Sequence, residues 1–281
     1  MLSNFSSGID RGDAKLLDGD GIPVLEGTLT GLAAFKHLFA YRDFRARVPI
    51  KGGSLVTDEV RERWRARLAS GVPFDELEGL ALLSDYGVPV LASVRADTLE
   101  DAIAAADTIG FPVAVKTAAP GVQHKSDVGG VRLGIDDSPS LEDAYAELER
   151  RLGPKVTVAP MAPPGVEIAL GIVRDPQFGP LVLVGAGGVL VEVLKDRRLA
   201  MPPLDEQRAR AMVDRLEVRP LLDGVRDQRL VDVDALTHAL VALSWLAHDL
   251  GDDLEALDAN PVICAPEGCV AVDALVMPGQ G

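Results

Sequence analysis

From Pro73 onward, helical and strand patterns alternate without a break, and this alternation restricts the chain to the α/β class. Residues 74–86 carry a helical pattern that stops at Gly87, a good C-terminal signal. Residues 88–94 read as a strand, and Asp97 or Thr98 caps an alanine-rich helix reaching Ile109. Gly110-Phe111-Pro112 then turns the chain into a strand at 113–116. A loop at 118–130 leads to a strand at 131–135, followed by a helix at 141–152 and a strand at 155–159. Together these elements make one α/β lobe.

Met161-Ala162-Pro163-Pro164-Gly165 punctuates the chain, and a second lobe follows. Strands are predicted at 166–173, 181–184 and 189–193, with a glycine turn at Gly185-Ala186-Gly187-Gly188. Helices are predicted at 205–216 and 232–250, then a hairpin of 254–264 and 270–275 turned at Pro266-Glu267-Gly268. Ahead of both lobes lie a short strand at 22–25 and a helix at 30–41 with Leu32, Phe35, Leu38 and Phe39 at helical spacing. A basic, glycine-bearing stretch and a charged helix at 58–69 come next. The leading segment is too short and too apolar on one face to be a complete domain. The expected division is 1–54 as a leading remnant, 55–160 as a small lobe and 161–281 as a large lobe.

Lys and Arg total 28 against 43 Asp and Glu, a formal charge of −15. That field repels nucleic acid and anionic membrane surfaces, so neither is expected as a partner. No apolar run approaches the roughly 20 residues needed to cross a bilayer, and residues 1–20 lack the pattern of a signal peptide. Cys264 and Cys269 supply neither a disulfide framework nor a four-ligand metal site, which points to a reducing cytoplasm. On so acidic a background, a polyphosphate ligand needs local Lys or Arg side chains, backbone N–H groups and divalent cations.

Neither a Walker A loop nor a G-x-G-x-x-G after a first strand is present, which argues against a P-loop enzyme or a Rossmann dehydrogenase. Gly185, Gly187 and Gly188 follow an apolar strand, where they serve either phosphate binding or backbone geometry. Lys116 ends an apolar strand, where a charge needs a partner or an exit to water. His124 lies in a loop bounded by Pro120-Gly121 and Gly129-Gly130. Its neutral imidazole is a competent phosphoryl acceptor, and Lys125 beside it would offset the added charge. Taken singly, it also reads as an ordinary surface histidine. Glu192 and Asp196 follow the glycine turn, and Asn260 and Asp273 lie on the two strands of the closing hairpin. Oxygen ligands on adjacent strands suit Mg²⁺, which shares its shell with substrate phosphates.

Four ordered stretches carry a likeness: FPVAVKTAAPGVQHKSDVGGVRL, PPGVEIALGIVRDPQFGPLVLVGAGGVLVEVLKD, RPLLDGVRDQRLVDVDAL and LDANPVICAPEGCVAVDAL. They resemble the ATP-grasp subunit or domain of ADP-forming acetyl-CoA and acyl-CoA synthetases, relatives of succinyl-CoA synthetase. The resemblance implies an α/β, two-lobe ATP-grasp fold that binds ATP or ADP with Mg²⁺ between its lobes. Lys116 would contact the nucleotide phosphates, Ala159, Pro160 and Met161 would form the adenine hinge, and Glu167 would lie close by. Gly185, Gly187, Gly188 and Glu192 match a family block, Asn260 and Asp273 match the metal positions, and His124 matches the phosphate-relaying histidine. Two departures stand out: Arg197 or Arg198 takes the place of the family arginine after Lys195-Asp196, and Ala159-Pro160 replaces a hinge Gln or Glu.

Residues 1–54 resemble the end of the CoA-ligase portion that precedes ATP-grasp in fused members. The resemblance therefore implies a partner of α type that binds CoA and the small-molecule acid. Two other readings stay open: a non-catalytic nucleotide-binding regulatory subunit, and a stand-alone ATP-grasp ligase joining a carboxylate to an amine.

Overall fold

The computed structural model describes residues 2–4, 10–50, 52–122, 125–188, 191, 194–224 and 230–279. The chain divides into two units, Met1–Lys51 and Gly52–Gly281. In the first, β1 (Leu2–Asn4) and β2 (Val24–Glu26) pair in parallel, with α1 (Arg11–Gly19) on the connection between them. The Asp10 carboxylate caps α1 by accepting the N–H groups of Gly12 and Asp13. The helix expected at 30–41 is longer, running as α2 (Thr28–Arg45), and Leu32, Leu38 and Phe39 on it are exposed.

The second unit holds α3 (Asp58–Ala69), α4 (Glu76–Asp85) and two antiparallel sheets. The smaller sheet runs in the order β3 (Val94–Ala96), β6 (Val156–Pro160), β4 (Val113–Thr117), β5 (Val131–Ile135). Its helices are α5 (Leu99–Ile109) and α6 (Ser138–Leu152), capped by Thr98 and Asp137 through the Asp101 and Ser140 N–H groups. Ala102, Ala106, Leu141, Tyr145 and Leu148 from these helices share a core with Val113, Val115, Val156 and Val158.

The larger sheet contains β7 (Val166–Asp175), β8 (Gly179–Ala186), β9 (Arg197–Ala200), β10 (Leu254–Ala265), β11 (Gly268–Ala271) and β12 (Leu275–Pro278). Its order is β11-β10-β7-β8-β9, with β12 also on β10. Helices α7 (Glu206–Val213), α8 (Arg219–Leu222) and α9 (Val233–Leu250) also belong to this unit. β11 and β12 share the edge of β10 that β7 leaves free: Val262 pairs with Ala271 and Leu257 with Val276. Between them, residues 272–274 step off the ladder, and this interruption positions the site described below.

Three expectations need correction. Helices α3 and α4, assigned to the small lobe, bury Trp64, Leu68, Leu80, Leu82 and Leu83 in the core of the larger sheet. Their apolar faces identify them as packing elements but do not say against which sheet. The strand expected at 88–94 divides instead. Leu91 N–H donates to Ala271 O and Ala271 N–H to Pro89 O, bridging the larger sheet, whereas 94–96 joins the smaller one. The strand expected at 189–193 falls largely outside the described residues, and Val191 and Leu194 are helical.

Candidate nucleotide-binding cleft

A cleft of about 1170 Å³ is lined from both sheets, with Thr157 of β6 on one wall and Asp258 and Asn260 of β10 on the other. Lys116, on β4, is buried with 8% exposure and reaches Glu76, a residue of the cleft lining. Its ammonium donates to Glu76 Oε1 at 2.9 Å and to the carbonyl of Val272. That carbonyl belongs to the interruption between β11 and β12, so the broken ladder supplies the acceptor. An isolated charge buried to this depth would be strongly disfavoured; here it is paired and hydrogen-bonded.

Glu76 escaped the sequence reading. It opens α4, where the helix dipole favours a carboxylate, and the only local signal is an acidic first turn. The neighbouring Asp75 and Glu78 form a capping box: Glu78 N–H donates to Asp75 Oδ1 at 2.9 Å and Asp75 N–H to Glu78 Oε2 at 3.2 Å. Arg67 clamps Glu78 with two bonds of 2.8 Å, and Arg95 pairs with Asp75. The first turn of α4 is thus braced on both sides of Glu76.

Lys125 completes the cluster. Its ammonium lies 2.7 Å from Glu76 Oε2 and 3.4 Å from Asp273 Oδ1. Among the described residues, Lys125 is the partner of this buried Glu76 oxygen, which has no other. Asp273 Oδ1 also accepts the Ala274 N–H at 2.8 Å. Two ammoniums and two carboxylates therefore meet where α4, β4, the 118–130 loop and the β11–β12 connection converge. Burial pushes the Asp273 carboxyl above its usual range and the Glu76 charge adds to this, while Lys116, Lys125 and the Ala274 N–H pull the other way. Burial lowers Lys125, but Asp273 and Glu76 outweigh it and hold the ammonium firmly protonated.

The expected metal positions come close together. The Val262–Ala271 pairing, continued by Val272 N–H donating to Pro261 O at 3.1 Å, sets Asn260 opposite Asp273. Asn260 Oδ1 accepts the Gly188 N–H at 3.1 Å. Gly187 N–H donates to Glu167 O at 3.0 Å, which ties the glycine turn to β7. These two N–H groups are therefore used within the protein. A Cβ on Gly185 would run into Asp196 O, and one on Gly187 into the backbone of Ile168. The turn's glycines thus satisfy close packing, the alternative left open at the outset.

Gly188 has φ +54°, and a Cβ there would overlap the Glu167 carboxylate. Gly179, at φ +74°, has open space around the same point. Gly179→Ala should cost about 1–2 kcal/mol from backbone conformation alone. Gly188→Ala should cost about 0.5–1.5 kcal/mol more, because the Glu167 side chain must turn away from the added carbon. Urea midpoints of the two variants measure the difference; equal losses would contradict the close approach.

Ala159 is buried on β6 opposite Ala114, Pro160 ends that strand opposite Val113, and Met161 Sδ accepts the Gly134 N–H at 3.2 Å. These three residues lie farther along β6 than Thr157 and do not line the cleft. Asp196 is buried and accepts the Val218 N–H at 2.9 Å, bracing the segment after the glycine turn. Arg198 lies 3.3 Å from its other carboxylate oxygen. His124 and Glu192 lie outside the described residues. Cys264 and Cys269 pair across β10 and β11 as buried free thiols, and burial raises both, Cys269 to about 11. Among the described residues, no group of three His, Cys, Asp or Glu side chains is arranged to hold a metal, and no helix is long and apolar enough to cross a membrane.

Two antiparallel sheets with a cleft lined from both, holding a buried lysine and carboxylate and amide oxygens, define the ATP-grasp class, a fold that binds nucleotides. Residues 67–277 match the ATP-grasp domain family. The chain is 35% identical over 239 residues to the β subunit of acetate–CoA ligase [ADP-forming] II from Pyrococcus furiosus, covering 81% of this chain and 99% of that one. Acetate–CoA ligase [ADP-forming] I of Archaeoglobus fulgidus is 34% identical over 278 residues, 95% of this chain but 40% of the relative. Among solved structures, a dinucleotide-forming acetyl-coenzyme A synthetase 1 from Candidatus Korarchaeum cryptofilum superimposes with a TM-score of 0.68 at 36% identity, covering 78% of this chain and all of that one. That structure is a complex with coenzyme A and Mg-AMPPCP, its phosphohistidine segment pointing towards the nucleotide binding site. The chain belongs to the family of ATP-grasp β subunits and domains of ADP-forming acyl-CoA ligases.

Proposed function

We propose that this chain is the ATP- or ADP-binding component of an acid–CoA ligase (acid + CoA + ATP = acyl-CoA + ADP + phosphate). The observation that carries the proposal is that Lys125, Asn260 and Asp273 line one cleft together with Glu76, the carboxylate that pairs with Lys116. In this reading His124 receives a phosphoryl group from a histidine on the partner and passes it to ADP; acid activation by ATP is the reverse. Lys116 and Lys125 neutralise the phosphate oxygens as charge builds during transfer, the main demand of such chemistry. Ala159, Pro160, Met161 and Glu167, outside the cleft lining, would contact the nucleotide only where it extends beyond the phosphate end of the cleft, and Gly185, Gly187, Gly188 and Glu192 would shape its pocket.

Mg²⁺ fits the donor set at the cleft. Asp258, Asn260 and Asp273 present hard oxygens there, and the remainder of the shell would come from phosphates and water. When bound, Mg²⁺ supplies charge neutralisation and alignment of the phosphates.

The partner would be an α-type subunit carrying the CoA-binding and ligase domains, which bind CoA and the acid. Residues 1–54 are read as the tail of such a ligase portion, ahead of a small lobe on the smaller sheet and a large lobe on the larger sheet that also takes in α3 and α4. The fused Archaeoglobus relative aligns with 95% of the chain and the separate Pyrococcus β subunit with 81%, which supports a leading segment akin to fused members. The free thiols fit a reducing, cytoplasmic setting.

Titration calorimetry with ADP in the presence of Mg²⁺ tests the nucleotide reading. Wild-type protein should bind, and Lys116→Met should bind about tenfold to a hundredfold more weakly, the worth of one or two charge-assisted hydrogen bonds. No binding by the wild type, or equal binding by the variant, would refute it.

A further inference from the structure

We infer that Glu76 is a positioning residue for the phosphate site: it orients Lys116 and holds Lys125, docking the 125–130 segment until nucleotide phosphates take over that ammonium. The inference deepens the proposed function and rests on it for its nucleotide step. Glu76 belongs to α4, whose apolar residues are part of the larger sheet's core, whereas Lys116 belongs to the smaller sheet and Lys125 to the loop carrying His124. One buried carboxylate, with its side chain 5% exposed, thus joins three separate parts of the unit. Its rigidity comes from the capping box and the Arg67 and Arg95 clamps, which leave the Glu76 oxygens little freedom to follow a moving partner.

Among the described residues the loop is tied by side chains at several points, including Arg132, which donates to Gly129 O at 2.9 Å. At one end Arg151 donates to Val128 O at 2.8 Å; at the other Lys125 sits between Glu76 and Asp273. Gly130 N–H donates to Lys125 O at 2.7 Å and Thr117 N–H to Gly130 O at 2.8 Å, so the Lys125 backbone is tied to the end of β4. The second ammonium, Lys116, repels Lys125, and Glu76 is the charge shared between them. Take that charge away and, among the described residues, the Lys125 ammonium retains only the 3.4 Å contact with Asp273. Phosphate oxygens entering the cleft would do the same by offering both lysines a better counter-charge, and a cation on Asp273 would compete for the remaining contact.

Hydrogen exchange of the 125–130 segment tests this. In nucleotide-free protein, Glu76→Gln should speed exchange there by at least about tenfold relative to the β5 amides, through local opening. Lys125→Ala should reproduce the effect with Glu76 still paired to Lys116, and Glu76→Asp, which keeps the charge, should restore slow exchange in part. Leu243→Ala, remote from the cleft, should lower global stability without changing the 125–130 to β5 ratio. In wild-type protein, saturating Mg·ADP should raise that ratio, and in Glu76→Gln it should add nothing. Unchanged loop exchange in both Glu76→Gln and Lys125→Ala, or a uniform rise across all amides, would overturn the inference. Failure of the wild type to bind Mg·ADP would instead refute the nucleotide reading and leave the nucleotide-free comparison intact.

Discussion

Replacement of His124 by alanine is expected to abolish transfer of label from γ-labelled ATP to the protein while nucleotide binding survives. Alanine has no nucleophile, and no neighbouring group in Lys125-Ser126-Asp127 substitutes for a neutral imidazole near pH 7. The expected wild-type adduct is a phosphoramidate, stable in base and lost in acid, which distinguishes it from a serine ester. Calorimetry with Mg·ADP should give a dissociation constant within a few-fold of wild type, because the binding charges proposed are Lys116 and Lys125. Base-stable labelling retained in the variant would contradict a relay through this residue.

Leu243→Ala should produce the largest loss of stability. Leu243 is fully buried on α9, in a cluster that also contains Leu240 and Leu246 of the same helix and Ile168, Leu170, Val182 and Val184 of the sheet. Deleting its branched end removes transfer free energy and leaves a cavity that a sheet-backed core closes poorly, a cost of about 2–5 kcal/mol. For a unit of this size each kcal/mol lowers Tm by about 2–4 °C, so a fall of about 4–20 °C is expected in differential scanning calorimetry. A shift under about 3 °C would mean that the helix repacks against the sheet more freely than close packing permits.

The ease with which each part could be read follows from the range of the interaction that makes it. Helices α3, α5, α6 and α9 carry their own caps and stops (Thr57, Thr98, Asp137 and Asp232 at their starts, Gly110 and Gly153 at two of their ends), so a few neighbouring residues are enough to find them. The hairpin of β10 and β11 was equally local, because Pro266-Glu267-Gly268 marks its turn. Other features depended on distant partners. The segment at 88–94 has strand composition throughout, yet its residues divide between two sheets, and nothing local records that β11 and β6 lie on either side.

The same distinction runs through the cleft. Lys116 was visible because a charge interrupts an apolar strand, and Asn260 and Asp273 because polar groups punctuate apolar ones. Sequence alone therefore determined that buried charges exist in this protein and which strands carry them. Only the tertiary structure decided how those charges are neutralised. Glu76 meets Lys116 across 40 residues of chain and Val272 meets it across 156, and no local pattern distinguishes Glu76 from the acidic residues beside it. Charge compensation acts through space over a few ångströms, and the fold, not the order of residues, brings the two lysines to one carboxylate.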